Sequence, residues 1–248
     1  MVGEMRSLQK QALEVYETWK DDALVRSRQR RNIDGERPEL TRDEFWLKLV
    51  TALLTTQQRS GPGYPINRLL DQRPFPLRLS VCEEQKDLEE YVQCVLLKAS
   101  GIRRWKLIAG ELAANLKWLE DDNWERVMGW LRELDVAHSA TQMQERKVAR
   151  RLLAKFSGIG PKQSRNVLQM LGLSKYEIPL DSRIANWLNS AGFPITITTK
   201  LLARESSYCD VLDAVQKLCE EIGLHPCLFD SAVFASYDGG KWTDDNVD

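Results

Sequence analysis

The stretch FSGIGPKQSRNVLQMLGLSKYEIPLDSRIANW, Phe156 to Trp187, restricts the fold more than any other part of this chain. Just before it, Val148, Leu152, Leu153 and Phe156 recur at the spacing of one helix face, and Gly158-Ile159-Gly160 breaks that period. A second helix has to begin at once. Pro161 suits its first position, where a missing N–H costs nothing, and Val167, Leu168 and Leu171 form its buried stripe until Gly172 stops it. Two helices joined by so few residues fold back as a tight hairpin. The paired glycines let the backbone approach a ligand closely, and the N–H groups opening the second helix carry partial positive charge. Such a turn is an anion seat that a nucleic-acid phosphate would fit.

The flanks carry the same sign. Between Arg146 and Arg165 stand seven basic residues (Arg146, Lys147, Arg150, Arg151, Lys155, Lys162, Arg165) and no Asp or Glu. An ordinary helix–helix turn with a solvated basic face would show the same pattern. Lys162 lies in the first turn of the second helix, where the positive end of the dipole disfavours an ammonium and lowers its pKa, and a lysine so tuned is a competent nucleophile. Nineteen residues later, Pro179-Leu180-Asp181 precedes a helix marked by Ile184, Trp187 and Leu188, which places Asp181 at its N-cap. Taken singly, the two residues are explained by phosphate contact and by capping.

The remaining periodicity is helical throughout, so an all-α fold with no significant sheet is expected. Apolar faces mark helices from Met5 to Lys20, from near Thr41 through Leu54 into the polar run ending at Gln58, from Leu88 to Ala99, through Leu107 to Leu116, from Asn123 to Leu134, from Tyr208 to Ile222 and from Pro226 to Tyr237. The Arg-rich stretch up to Arg37-Pro38 reads as a linker, Gly61-Pro62-Gly63 as a break, and the proline-rich segment Asn67 to Leu79 as loop with short helix. Trp118, Trp124 and Trp130, at helical spacing, read as core rather than as stacking platforms. Two helical layers follow: 41–176, ending in the hairpin, and 1–40 with 177–248, with an active cleft between them.

With 248 residues, 43% of them hydrophobic, the chain can bury a core of that kind. No apolar run reaches membrane-spanning length, and MVGEMRSLQK lacks the apolar centre of a signal peptide, so a cytoplasmic protein is expected, nucleoid-associated in a prokaryote. Five scattered cysteines (Cys82, Cys94, Cys209, Cys219, Cys227) argue against a disulfide framework, and His138 and His225 stand too far apart to suggest a metal site. The net charge of −1 is unlike that of a non-specific nucleic-acid binder, but charge is segregated: Arg26, Arg28, Arg30 and Arg31 form one basic run and the hairpin another, against an acidic tail of Asp244, Asp245 and Asp248, read as solvated.

A glycine hairpin ending in lysine, then a helix, then an aspartate resembles the helix-hairpin-helix DNA glycosylase superfamily, and most closely its bifunctional members. Phe156-Ser157-Gly158-Ile159-Gly160-Pro161-Lys162 is similar to the family's L-P-G-V-G-x-K, and Pro179-Leu180-Asp181 to its P-V-D. The resemblance implies that Lys162 attacks C1′ of a damaged nucleotide, that Asp181 offsets the charge developing on the sugar, and that Gly158, Gly160, Arg165 and Arg183 meet DNA phosphates. It implies a double-stranded DNA partner, a monomer and no cofactor. Endonuclease III and the adenine-mismatch glycosylases carry a four-cysteine iron–sulfur loop after the aspartate. Cys209, Cys219 and Cys227 are too few and too irregular for one, which directs the match to the cluster-free 8-oxoguanine glycosylases.

The same resemblance implies roles elsewhere. Leu53-Leu54-Thr55-Thr56-Gln57 is similar to the family's L-L-S-x-Q, so Gln57 would fill the hole left by an extruded base, with Arg59 near a phosphate. Gly101 to Lys106 resembles its wedge turn, so Ile102 would insert between base steps and Arg103 or Arg104 would face the orphaned partner. Asp230-Ser231-Ala232-Val233-Phe234 resembles a base-reading segment, with Asp230 on the pairing edge, Phe234 on one face and Asn166 on the other. An ionised aspartate only accepts hydrogen bonds, so it suits guanine's N1–H and N2–H₂. Three departures stand: Asp at 230, Arg183 where the family often has His, and no room for the N-terminal β-domain of the human-type enzymes. Two alternatives remain open, the same chemistry on another base and a non-catalytic hairpin protein that recognises DNA structure.

Overall fold

The structure, a computed structural model, describes residues 2–58, 63–135, 140–239, 242–244 and 247, with side chains from Arg6 onward. Among the described residues it is helical without a strand. Arg59, Gly61, Pro62, His138, Asp245 and Asp248 lie outside them. The chain order is α1 (Val2–Trp19), α2 (Ala23–Arg28), α3 (Arg42–Leu54), α4 (Pro65–Leu70), α5 (Leu79–Glu83), α6 (Leu88–Ala99), α7 (Trp105–Trp118), α8 (Trp124–Asp135), α9 (Gln142–Lys155), α10 (Pro161–Met170), α11 (Ser182–Ser190), α12 (Thr199–Leu202), α13 (Glu205–Glu221) and α14 (Pro226–Asp238).

Apolar burial, the main favourable term in folding, is divided between two clusters. One runs from Phe45 through Leu173 and includes Trp46, Leu112, Trp124, Leu152, Phe156, Val167 and Leu168; Trp118 and Trp130 pack against it half-buried. The other gathers Leu8, Ala12 and Val25 with Ile178, Leu188, Tyr208, Leu212, Phe229 and Val233. The amphipathic stripe of α10 belongs to the first cluster and that of α11 to the second. The seam between the clusters therefore falls between Lys162 and Asp181.

Several local signals produce these helices. Thr141 and Gln144 close a capping box at the start of α9, Thr41 caps α3, and Asp87 caps α6. The Arg-rich stretch, expected as a linker, is instead structured as α2 followed by a wider turn over Gln29–Asp34, and it packs on the end of α10. The last carbonyls of a helix lack intrahelical donors, and this stretch supplies them. Arg28 donates to the Gln169 carbonyl at 3.1 Å, Asn32 to Gln169 at 3.2 Å and Ser174 at 2.8 Å, and Arg37 to Gly172 at 2.9 Å. Gly172, at φ +72°, sits where a Cβ would come within 3.0 Å of the Arg31 carbonyl. Asp244 likewise is not merely a solvated acid: its carboxylate pairs with Arg26 at 3.0 Å.

Candidate active site at the seam between the two cores

α9 and α10 meet through the turn Phe156–Gly160, the hairpin expected from the glycines, with Gly160 as N-cap and Pro161 opening the second helix. The two glycines serve different needs. Gly158 adopts φ +78°, and a Cβ there would overlap the Glu111 carboxylate and stand 2.6 Å from a Leu53 methyl. Gly160 has ordinary extended backbone, and a Cβ there would meet nothing. Close packing explains the first glycine, whereas the space beside the second is open.

Most of the basic run around the hairpin is already matched by acids from other elements. Arg146 pairs with Glu177 (2.8 Å) and Asp213, Lys147 and Arg151 with Glu133, and Arg150 with Glu205. Arg165 is the clearest correction to the expected phosphate contacts. Its fully buried guanidinium bonds Glu177 at 2.9 Å, Glu205 at 2.7 Å and the Ser164 hydroxyl, and it stacks on Tyr208. No part of it reaches solvent, so it meets no phosphate; it ties α10 to α13.

Asp181 is the N-cap of α11, as its position before Ile184 and Trp187 suggests: Oδ1 accepts the N–H groups of Arg183 (2.8 Å) and Ile184 (3.1 Å). Two buried acids that sequence reasoning passed over hold the segment leading to it. The Glu145 carboxylate accepts the N–H groups of Lys175, Tyr176 and Glu177 and the Ser174 hydroxyl, each at 2.9 Å. Glu177 is clamped between Arg146 and Arg165. Both contacts span the seam, and a glutamate within a strongly basic helix, as at Glu145, was the one available sequence signal.

Lys162 (α10), Asp181 and Asp230 (α14) converge at this seam. Burial holds the Lys162 ammonium below the usual lysine range; the negative charges of Asp181 and Asp230 oppose that shift and the positive charge of Arg183 adds to it. No hydrogen bond or ion pair engages Lys162 among the described residues. Asp230 is buried and accepts from Gln169 Nε2 at 2.9 Å. Burial pushes its carboxyl up to about 6, against the attraction of Arg28, the Gln169 hydrogen bond and Lys162. Asn166, half-buried one turn from Lys162, donates to Gln163 at 3.3 Å.

Arg183, also expected at a phosphate, is turned inward. It donates to Asp181 Oδ2 at 3.1 Å and to Asp238 at 3.1 Å, and its guanidinium lies 3.8 Å from the centre of the Phe234 ring. One face of the ring expected to stack on a base is therefore covered.

The other expected contacts sit beside the hairpin turn. Gln163 donates to Thr56 at 2.6 Å, bringing the end of α3 against α10, and the Gln58 side chain accepts the Arg103 N–H at 2.8 Å, joining that turn to the one before α7. Gln57 (φ +57°) and Arg103 are exposed there. Ile102 is not a projecting wedge: it is buried in the first core, where apolar burial outweighs exposure at a turn. Arg104 does not face outward either, since it folds onto Glu111 at 3.1 Å behind Gly158. Among the described residues no cluster of three or more His, Cys, Asp or Glu could hold a metal, and no helix is long and apolar enough to cross a membrane.

No family model matches this chain, and no curated protein matches it in sequence. The fold does match solved structures. The 8-oxoguanine DNA glycosylase of Thermotoga maritima aligns with a TM-score of 0.67 at 18% identity, over 95% of this chain and 98% of that one. The 8-oxoguanine DNA glycosylase of Methanocaldococcus jannaschii aligns with a TM-score of 0.61 at 15% identity, over 93% and 94%. At such identities the likeness is one of fold.

Proposed function

We propose that this chain is a DNA glycosylase of base excision repair that removes 8-oxoguanine and then nicks the strand as an abasic-site lyase. The observation that carries the reading is Lys162, desolvated, without a hydrogen bond or ion pair among the described residues, and within the fields of Asp181 and Asp230. An all-helical fold shared with two 8-oxoguanine glycosylases supports it.

In this mechanism the Gly160 end of the hairpin receives a phosphate and the lesion is drawn from the stack, as an enzyme acting on a base requires. Ionised Asp230 accepts the two donors of a guanine-type pairing edge, while Phe234 and Asn166 flank the ring. Neutral Lys162 Nζ forms a bond to C1′ as the glycosidic bond breaks, and the base leaves with that electron pair and takes up a proton. Asp181 offsets the positive charge on the sugar. Ring opening gives a Schiff base on Lys162, and loss of a C2′ proton expels the 3′ phosphate.

Incubating the protein with a duplex holding one 8-oxoguanine opposite cytosine and adding borohydride tests this reading. A covalent protein–DNA band is expected, absent from Lys162→Gln. A band that survives in Lys162→Gln would overturn the mechanism. A band with an abasic duplex but none with 8-oxoguanine would replace the base. No band with either would favour a protein that binds DNA structure without chemistry.

A further inference from the structure

Resting on that reading, we propose that Arg183 is a displaceable plug of the base pocket: in the free protein its guanidinium occupies the Phe234 face that an extruded base would take, and it must swing off before a base can enter. The guanidinium is held on three sides. Asp181 Oδ2 lies at 3.1 Å, Asp238 at 3.1 Å, and the Phe234 ring centre at 3.8 Å. The Trp242 indole N–H donates to Asp238 at 3.2 Å and its ring stands 6.1 Å from that of Phe234. Arg183 therefore leaves over a fixed acid, and Asp238 can keep hold of it.

Each restraint is weak enough to break. Arg183 is about a quarter exposed, and ion pairs of that exposure are worth about fivefold or less in an equilibrium constant. A cation on an aromatic face adds a comparable factor. A base stacking on the vacated ring, with its donors on Asp230, replaces both. An undamaged base that finds poorer partners at Asp230 does not. The plug thus sets a threshold for entry. Its departure also strips Asp181 Oδ2 of its guanidinium while the two backbone N–H bonds to Oδ1 stay in place. The Asp181 charge beside Lys162 is then least neutralised when the sugar needs it.

A phosphate-binding arginine would behave in the opposite way, and that contrast supplies the test. Free 8-oxoguanine is titrated against wild type, Arg183→Ala and Asp238→Asn, and the salt dependence of binding to an undamaged duplex is measured for each. In the same preparations, urea unfolding of the two single variants and the double variant gives the Arg183–Asp238 coupling. The plug predicts about tenfold tighter base binding by Arg183→Ala, about two- to threefold tighter by Asp238→Asn, an unchanged salt slope, and a coupling of about threefold or more in the unfolding constant. Absent coupling overturns the proposal, because the clamp then does not hold in the free protein. Coupling with base affinity unchanged or weakened in Arg183→Ala overturns it in favour of a stacking platform. A salt slope reduced by about one marks a phosphate contact and overturns it as well. Coupling with no base bound by any variant removes the base-pocket reading itself, and the plug falls with it.

Discussion

Lys162 and Arg165 stand one turn apart on α10, and they are opposite kinds of buried cation. Arg165 is fully buried, and its Nε, Nη1 and Nη2 all donate, to Glu177, Glu205 and the Ser164 hydroxyl among others. Lys162 is half-buried and spends no donor among the described residues. A charge with every hydrogen bond satisfied is a brace, since reacting would mean dismantling the network around it. A desolvated charge without partners is held close to its neutral form, which is the state a nucleophile needs. What separates these two cations of one helix is the set of partners the fold gives each.

The largest expected effect lies on the brace. Arg165→Leu strips Glu177 and Glu205 of their fully buried cation, leaving each only its more exposed partner, Arg146 or Arg150, and should cost about 3–5 kcal/mol in urea unfolding. A loss below about 1 kcal/mol would show that the network is not a brace. On the other side of the comparison, Asp230→Asn should stabilise. The folded carboxyl titrates at about 6, above its ordinary 3.8, so the stability of the protonated form is complete below pH 3.8 and is lost as pH rises through about 6. The variant escapes that loss, gaining at most about 3 kcal/mol at pH 7.5 and little at pH 3.5. Base binding should weaken in the same variant. Thermal melts at the two pH values check the sign.

Gly158→Ala sharpens the contrast between the two hairpin glycines. A positive φ together with overlap on Glu111 and Leu53 should cost about 2 kcal/mol, in part recovered by adding Glu111→Ala. Gly160→Ala should change stability by less than about 0.5 kcal/mol, because a Cβ there meets nothing. Loss of DNA binding by Gly160→Ala without loss of stability would mark the backbone approach of a phosphate. Lys162→Met has a smaller effect than Gly158→Ala and the opposite sign, and is expected to stabilise by about 1 kcal/mol near neutral pH. The folded-state pKa is lowered, so the charged form carries a penalty that is relieved as pH rises toward 10.5. The gain should accordingly shrink in alkali, and a Lys162→Met protein less stable than wild type would show that the ammonium has a partner after all.

Much of this was legible in the sequence because it is local. Helix periodicity, the glycine turn, the Pro161 start and the Asp181 cap each depend on neighbours within a few residues, and the structure has them where those neighbours put them. Readings that needed distant partners went differently. Ile102 sits in a turn by its own segment and in a core by the packing of others. The Arg28, Asn32 and Arg37 side chains look like a polar linker until the open carbonyls of α10 are brought to them. Glu145 and Glu177, which tie the Asp181 segment to the hairpin, lie about thirty residues apart in the chain and carry no motif.

The sequence alone determined an all-α chain, a hairpin with a lysine at its exit and an aspartate capping the helix after it. Only the tertiary structure decided which charges of the basic run remain available. Five of those seven residues (Arg146, Lys147, Arg150, Arg151 and Arg165) are matched by Glu133, Glu177, Glu205 and Asp213, three of them well beyond the run in the chain. The physical reason is that helix and turn propensities act between sequence neighbours, whereas charge and burial act through space. A cation's role is settled by what the fold packs against it.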